Sequence, residues 1–162
     1  MRTVVSLFAV VAGLVLALAG SSLAQAPPAY GPAITLEQAL KVVAGAEAEA
    51  RKNGWPMAIA ILDSGGHLVA LHRLDNTMLA SIEIARQKAY TAVAFRRPSK
   101  AFQDTVAAGG VGLRLLAVDA LTPIEGGLPI LVDGKVVGSI GISGGTSEQD
   151  GQVAAAGVAA LK

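Results

Sequence analysis

Seven residues near the C-terminus, Leu131-Val132-Asp133-Gly134-Lys135-Val136-Val137, constrain the fold more than any other stretch of the chain. An Asp-Gly pair between β-branched runs supplies the positive φ angles of a tight hairpin turn, so its flanks should pair antiparallel. Glycines continue on both sides, in Gly126-Gly127-Leu128-Pro129-Ile130 and in Gly138-Ser139-Ile140-Gly141-Ile142-Ser143-Gly144-Gly145-Thr146. Glycine serves where a backbone turns, packs closely or approaches a ligand. The run ends at the start of a final helix, whose first N–H groups have no partner within the helix and point at whatever sits there.

Thr35, with Gln38 three residues later, opens a helix in which Leu36, Leu40, Val43, Ala46 and Ala50 form one apolar face; Asn53-Gly54 ends it and Trp55-Pro56 cannot continue it. Met57 to Leu62 and His67 to Leu71 read as a hairpin joined by Asp63-Ser64-Gly65-Gly66. A second helix fits Leu79 to Phe95, with Ile82, Ala85, Ala89 and Val93 on one side. Pro98 breaks it, and Ser99 is expected to cap a short helix ending near Gly109-Gly110-Val111-Gly112. The later part of Leu113 to Leu121 reads as strand. Ile130–Val132 and Val136–Ser143 form the second hairpin, and an alanine-rich helix runs from Ser147 to Leu161. Helix, hairpin, helices, strands, helix describes a single mixed α/β (α+β) domain: an antiparallel sheet with helices on its faces.

Residues 1–24 read as an address. Arg2 is followed by the apolar stretch Val4–Leu18 and by Ser22-Leu23-Ala24, with small residues at −3 and −1 of a cut after Ala24. Export to the periplasm or medium is expected; uncleaved, the same stretch would act as an N-terminal anchor. Gln25–Ala33, with its prolines, reads as a loose extended tether, and the domain proper spans 34–162. Without Arg2 the basic and acidic residues are equal in number. A neutral domain lacking a basic run has little electrostatic attraction for nucleic acid. The absence of cysteine excludes disulfides and thiol ligands. Only 15% of the chain is charged. So much apolar surface favours burial between subunits, hence a homo-oligomer.

Asn53-Gly54-Trp55-Pro56, Asp63 with Gly66-His67-Leu68, Arg73-Leu74-Asp75, Lys88-Ala89-Tyr90, Gly126–Ile130 and Gly138–Gly144 stand in the same order as in the GlcG/HbpS-like haem-binding family, which this chain resembles from Thr35 to its C-terminus. The resemblance implies a profilin-like fold, assembled as dimers or larger oligomers, and haem as the cofactor. Exported members of that family act in haem or iron sensing, which implies a membrane sensor as a partner. Others accompany glycolate or diol metabolism, which keeps open an enzyme or accessory factor acting on small 2-hydroxy or 2-oxo acids.

Haem iron needs an axial donor. His67 and His72 are the imidazoles, but five residues apart on one strand they face opposite ways unless a bulge intervenes. The bland readings are a solvated turn residue for His67 and a packed contact for His72. Met78 and Tyr90, beside and on the second helix, read as packing. For a carboxylate, the amides of Gly144, Gly145 and Thr146 offer a cradle, with Arg73, Arg86 and Lys88 as cations. Equally, those amides could serve only as a helix cap while Arg73 pairs with Asp63 or Asp75. Gly141-Ile142-Ser143-Gly144-Gly145 matches the letters of a nucleophile elbow, yet no histidine follows His72 to act as its base.

Overall fold

A computed structural model describes residues 26–162; the expected export segment lies outside the described residues. The chain forms α1 (Leu36–Lys52), β1 (Ala58–Asp63), β2 (Leu68–Arg73), α2 (Ser81–Phe95), α3 (Lys100–Ala107), a 3-10 helix (Gly110–Ala117), β3 (Gly127–Val132), β4 (Lys135–Ser143) and α4 (Ser147–Ala159). The four strands make one antiparallel sheet in the order β2-β1-β4-β3. Asp133 and Gly134 take φ of 50° and 73°, as the Asp-Gly hairpin requires.

Two layers of helix enclose the sheet. On one face Ala58, Ala60, Leu62 and Val136 pack with Ala85, Ala89 and Val93 of α2. On the other, Ile59, Ile61, Ile140 and Ile142 meet Val42, Val43 and Ala46 of α1 and Val153 and Ala154 of α4. Small residues set the spacing of the first layer. Gly141 lies directly under the backbone of Ala85 and Ala89, and Ser139 Oγ donates to the Ala89 carbonyl at 2.7 Å. The profilin-like arrangement implied by the resemblance is the one found.

Both sheet-covering helices of the second layer start with the same reciprocal device. Gln38 N donates to Thr35 Oγ1 while Thr35 N donates to Gln38 Oε1, and Thr146 and Gln149 repeat the pattern on α4. Thr35→Ala is expected to lower stability by about 1 kcal/mol, read as a shift in urea midpoint with an unchanged slope.

Three expectations need correction. Leu113–Leu121 contributes no strand: Gly110–Ala117 winds into 3-10 helix after Gly109 and Gly110 at φ 71° and 55°, and the four-stranded sheet closes without it. Its leucines favour a helical turn over extension. Ser99 does not cap α3, because its own backbone is already helical; its hydroxyl donates to Ile124 O at 2.7 Å and accepts from Gly127 N at 2.9 Å. The segment read as a loose tether is extended but tied down from Ala29. Beyond the end of β1, Val136 N donates to Ala29 O, Gly31 N to Val136 O and Ile34 N to Val137 O. Tyr30 Oη donates to the Val93 carbonyl at 2.9 Å, and the Arg96 guanidinium lies 5.2 Å from its ring centroid.

Candidate functional site

The expected cradle exists, but its guest is part of the chain. Asp150, in the first turns of α4, is 2% exposed and takes Lys88 Nζ at 2.6 Å on one oxygen and Gly145 N at 3.1 Å on the other. Gly144 N also bonds this carboxylate, whose pKa burial nevertheless holds above its ordinary value against the pull of Lys88. Thr146 N is taken by Gln149 Oε1 at 2.9 Å. Lys88 is 1% exposed, so it is a structural counter-charge and offers no cation to a ligand from solvent. The alternative reading of Gly144-Gly145-Thr146, amides spent on the protein's own groups, is the one the geometry supports. Ser143, at the end of β4, is 5% exposed.

The histidines do not converge. A bulge does interrupt β2: Ala70 pairs with Ile61 but Leu68 with Leu62, leaving Val69 as the extra residue. It shifts the phase of alternation, so His67 does not share a face with Arg73 as the unbroken pattern predicts. Their backbones still lie roughly 13–16 Å apart along the chain, and each ring is turned to a different carboxylate. His67 sits against the turn carboxylate with an 83% exposed side chain, 3.4 Å from Asp63 Oδ1. His72 lies opposite Ile59 and holds Glu47 of α1 at 2.8 Å.

Asp63 organises that turn. Its Oδ1 accepts from Gly65 N at 2.8 Å and His67 N at 2.9 Å. Burial works to raise its carboxyl, but the two amides and the His67 ring outweigh it and hold the pKa below 3.8. A depressed folded pKa gives stability that is complete above 3.8 and lost as pH falls through the folded value. Asp63→Asn, which cannot titrate, should therefore flatten the acid limb of a thermal-stability profile; an unchanged limb would show that this carboxylate contributes nothing.

Arg73 ends edge strand β2 exposed, opposite Ala58, and Asp63 is engaged at its own turn. Arg86 is different, because it lines a cleft. Between α2 and the Ala120–Thr122 loop lies a cavity of about 320 Å³ walled by Arg86, Gln87, Tyr90, Ala120, Leu121 and Thr122. Thr122 N donates to Thr91 Oγ1 at 2.8 Å and Thr122 Oγ1 to Gln87 Oε1 at 3.3 Å, which fix the loop on the helix. Glu83 grips Arg86 through Nε at 2.9 Å and one terminal nitrogen at 2.6 Å, lowering the Glu83 pKa and leaving the other terminal nitrogen uncommitted to that pair. On the far side of Tyr90 is a second cleft of about 250 Å³, formed by Tyr30, Ser64–Gly66, Tyr90, Val93 and Ala94.

Tyr90 thus belongs to both clefts, with 37% of its surface exposed. Reading it as core packing is corrected by the helix itself. Ala85, Ala89 and Val93 face the sheet, so Glu83, Arg86, Gln87, Tyr90 and Ala94 must lie along the outer face. That signal was available in the spacing. The loop that completes the cleft was not, since it comes from a segment read as strand.

Comparison with known proteins identifies the family and the fold. A family model described as haem degrading protein HbpS-like matches residues 34–159. Protein GlcG of Escherichia coli strain K12 is 39% identical over 110 residues, covering 68% of this chain and 81% of its own. Among solved structures, HbpS superposes with a TM-score of 0.75 at 30% identity, over 82% of this chain and 92% of its own. The haem complex of PduOC does so with a TM-score of 0.72 at 30% identity, over 79% and 94%. Strand order, helix layers and sequence together place this chain in the HbpS-like family of haem-degrading proteins.

Proposed function

We propose that this protein binds haem in the paired clefts on the outer side of α2. The observation that carries the reading is their position: Tyr90 at the junction, Tyr30 with the Ser64–Gly66 turn on one side, and a guanidinium with amide and hydroxyl groups on the other. Two aromatic rings for the macrocycle and a guanidinium for its carboxylates suit a tetrapyrrole with carboxylates at one edge. A haem brings its own ring nitrogens, so the protein need supply only axial donors. Among the described residues no group of three His, Asp or Glu side chains gathers to hold a bare metal ion, a demand that haem does not make. The solved haem complex of PduOC, 30% identical, supports the reading. Titrating haem into the purified protein should give a saturable Soret band at a fixed stoichiometry. A band that grows linearly, as for free haem, would contradict it.

Export belongs to the same proposal. Residues 1–24 have the composition of a cleavable signal, and haem capture outside the cytoplasm would serve uptake, or sensing through a membrane partner. N-terminal sequencing of the exported protein should begin at Gln25; an intact Met1 in the cytoplasmic fraction would contradict it. Exposed Leu68 and Leu71 on the edge strand, with Met78 and Leu79 before α2, favour self-association. The second reading, a factor acting on small 2-hydroxy or 2-oxo acids, draws on the Arg86–Thr122 cavity, whose roughly 320 Å³ is ample for such molecules. Saturable lactate binding without haem binding would select it.

A further inference from the structure

We infer that Tyr90 is the iron donor of this chain and that Arg86, with Gln87 and Thr122, receives the haem carboxylates. The inference rests on the haem reading above and specifies its chemistry. Histidine is the expected donor, but His72 is held by Glu47 beneath the opposite face of the sheet, and His67, on the turn that walls the smaller cleft, turns its ring to Asp63 at 3.4 Å and lines neither cleft. Met57 is fully buried in the core, and Met78 stands exposed in the loop before α2. Tyr30 donates its hydroxyl to the Val93 and Ala94 carbonyls. Of the residue types that ligate haem iron, Tyr90 is the one that lines both clefts.

The surroundings of Tyr90 are built for access. Gly66 presses on its ring edge, so that a Cβ there would stand 3.1 Å from Cε2, and Gly66 takes a φ of 81° that keeps the turn clear of the phenol. Ala120, in the wall of the larger cavity, holds a left-handed φ of 63°, a costly conformation for a residue with a Cβ. The cavities, about 320 and 250 Å³, lie at or below the low end of the ~300–1,000 Å³ usual for ligand pockets. A macrocycle must therefore use both, which centres it on Tyr90. As the Fe(III)–oxygen bond forms, the phenol O–H breaks and its proton passes to water; no electron changes hands. The carboxylates then fall to the larger cavity, where Arg86 retains a terminal nitrogen outside its pair with Glu83.

The test is ferric haem added to wild type, Tyr90→Phe, His67→Ala, His72→Ala and Arg86→Gln, followed by absorption and resonance Raman spectroscopy. The phenyl variant keeps the ring, and circular dichroism confirms its fold. Wild type should show phenolate–iron vibrations, which Tyr90→Phe loses together with at least tenfold in affinity. Arg86→Gln should keep the wild-type spectrum but bind haem about tenfold more weakly, with little change for haem dimethyl ester, whose carboxylates are blocked. A Tyr90→Phe spectrum identical to wild type, or loss of the wild-type band in either histidine variant instead, would overturn the assignment while leaving haem binding intact. Failure of wild type to bind haem at all would instead remove the reading on which it rests.

Discussion

Lys88→Met is expected to destabilise the protein by about 3–5 kcal/mol. The ammonium is 1% exposed and meets a carboxylate that is 2% exposed, 62 residues away in sequence, at 2.6 Å. Removing the cation leaves Asp150 uncompensated in a place water does not reach. Asp150→Asn should cost a similar amount, because it leaves the Lys88 ammonium buried without its counter-charge. Replacing both charges, as Lys88→Met with Asp150→Leu, should recover part of the loss. The recovery should fall short by about 1 kcal/mol for each turn amide left without its acceptor. Urea denaturation at neutral pH measures all three. A cost below about 1 kcal/mol for Lys88→Met, typical of an exposed pair, would show that the pair is solvated.

Gly141→Ala is expected to cost about 3 kcal/mol for an unrelated reason. Gly141 sits in the middle of β4, and a methyl group on it would overlap the Ala85 carbonyl and crowd Ala89 N. Backbone, unlike a side-chain tip, cannot turn aside, so α2 must lift from the sheet and open the contacts of Ala58, Ala60 and Leu62. Because the outer face of the same helix carries Arg86 and Tyr90, haem affinity should fall along with the urea midpoint. Gly54→Ala is the control: open space surrounds it, so only its φ of 70° penalises a side chain, by roughly 1–2 kcal/mol, and the α2 clefts should be unaffected. Equal losses in the two variants, with haem binding unchanged in both, would contradict this view of the α2–β4 contact.

The parts of the fold governed by local chemistry were legible. Asp133-Gly134 announced its turn, Thr35 with Gln38 announced a cap, and the period of Ala85, Ala89 and Val93 announced the buried side of α2. Errors arose where a residue's partner is distant in sequence. Lys88 reads as a surface cation until Asp150 is brought beside it by the packing of α4. The amides of Gly144 and Gly145 fitted a ligand cradle and a helix cap equally well in sequence for the same reason, and Asp150 decides between them. The phase of His67 turned on one extra residue, Val69, which alternation alone does not reveal. Ala29–Ala33 looked unattached because its partner strand lies far along the chain, beginning at Lys135.

Function followed the same division. Anion-binding chemistry was correctly recognised in amides plus a cation, but the anion proved to be Asp150, which makes the constellation a brace between α2 and α4. The outward row of α2 could be read from the helical period, whereas its closure into a cleft required the Ala120–Thr122 loop to fold back on Gln87 and Thr91. Membership of the family fixes the scaffold; which surface of the scaffold this chain uses depends on its own residues.

The most direct measurement is a crystal structure of the haem-loaded protein. The account predicts haem lying across the outer face of α2, its iron bonded to Tyr90 Oη and its carboxylates on the side of Arg86 and Thr122. Haem with its iron bonded to His67, or seated on the α1 face beside His72 with the α2 clefts empty, would contradict it.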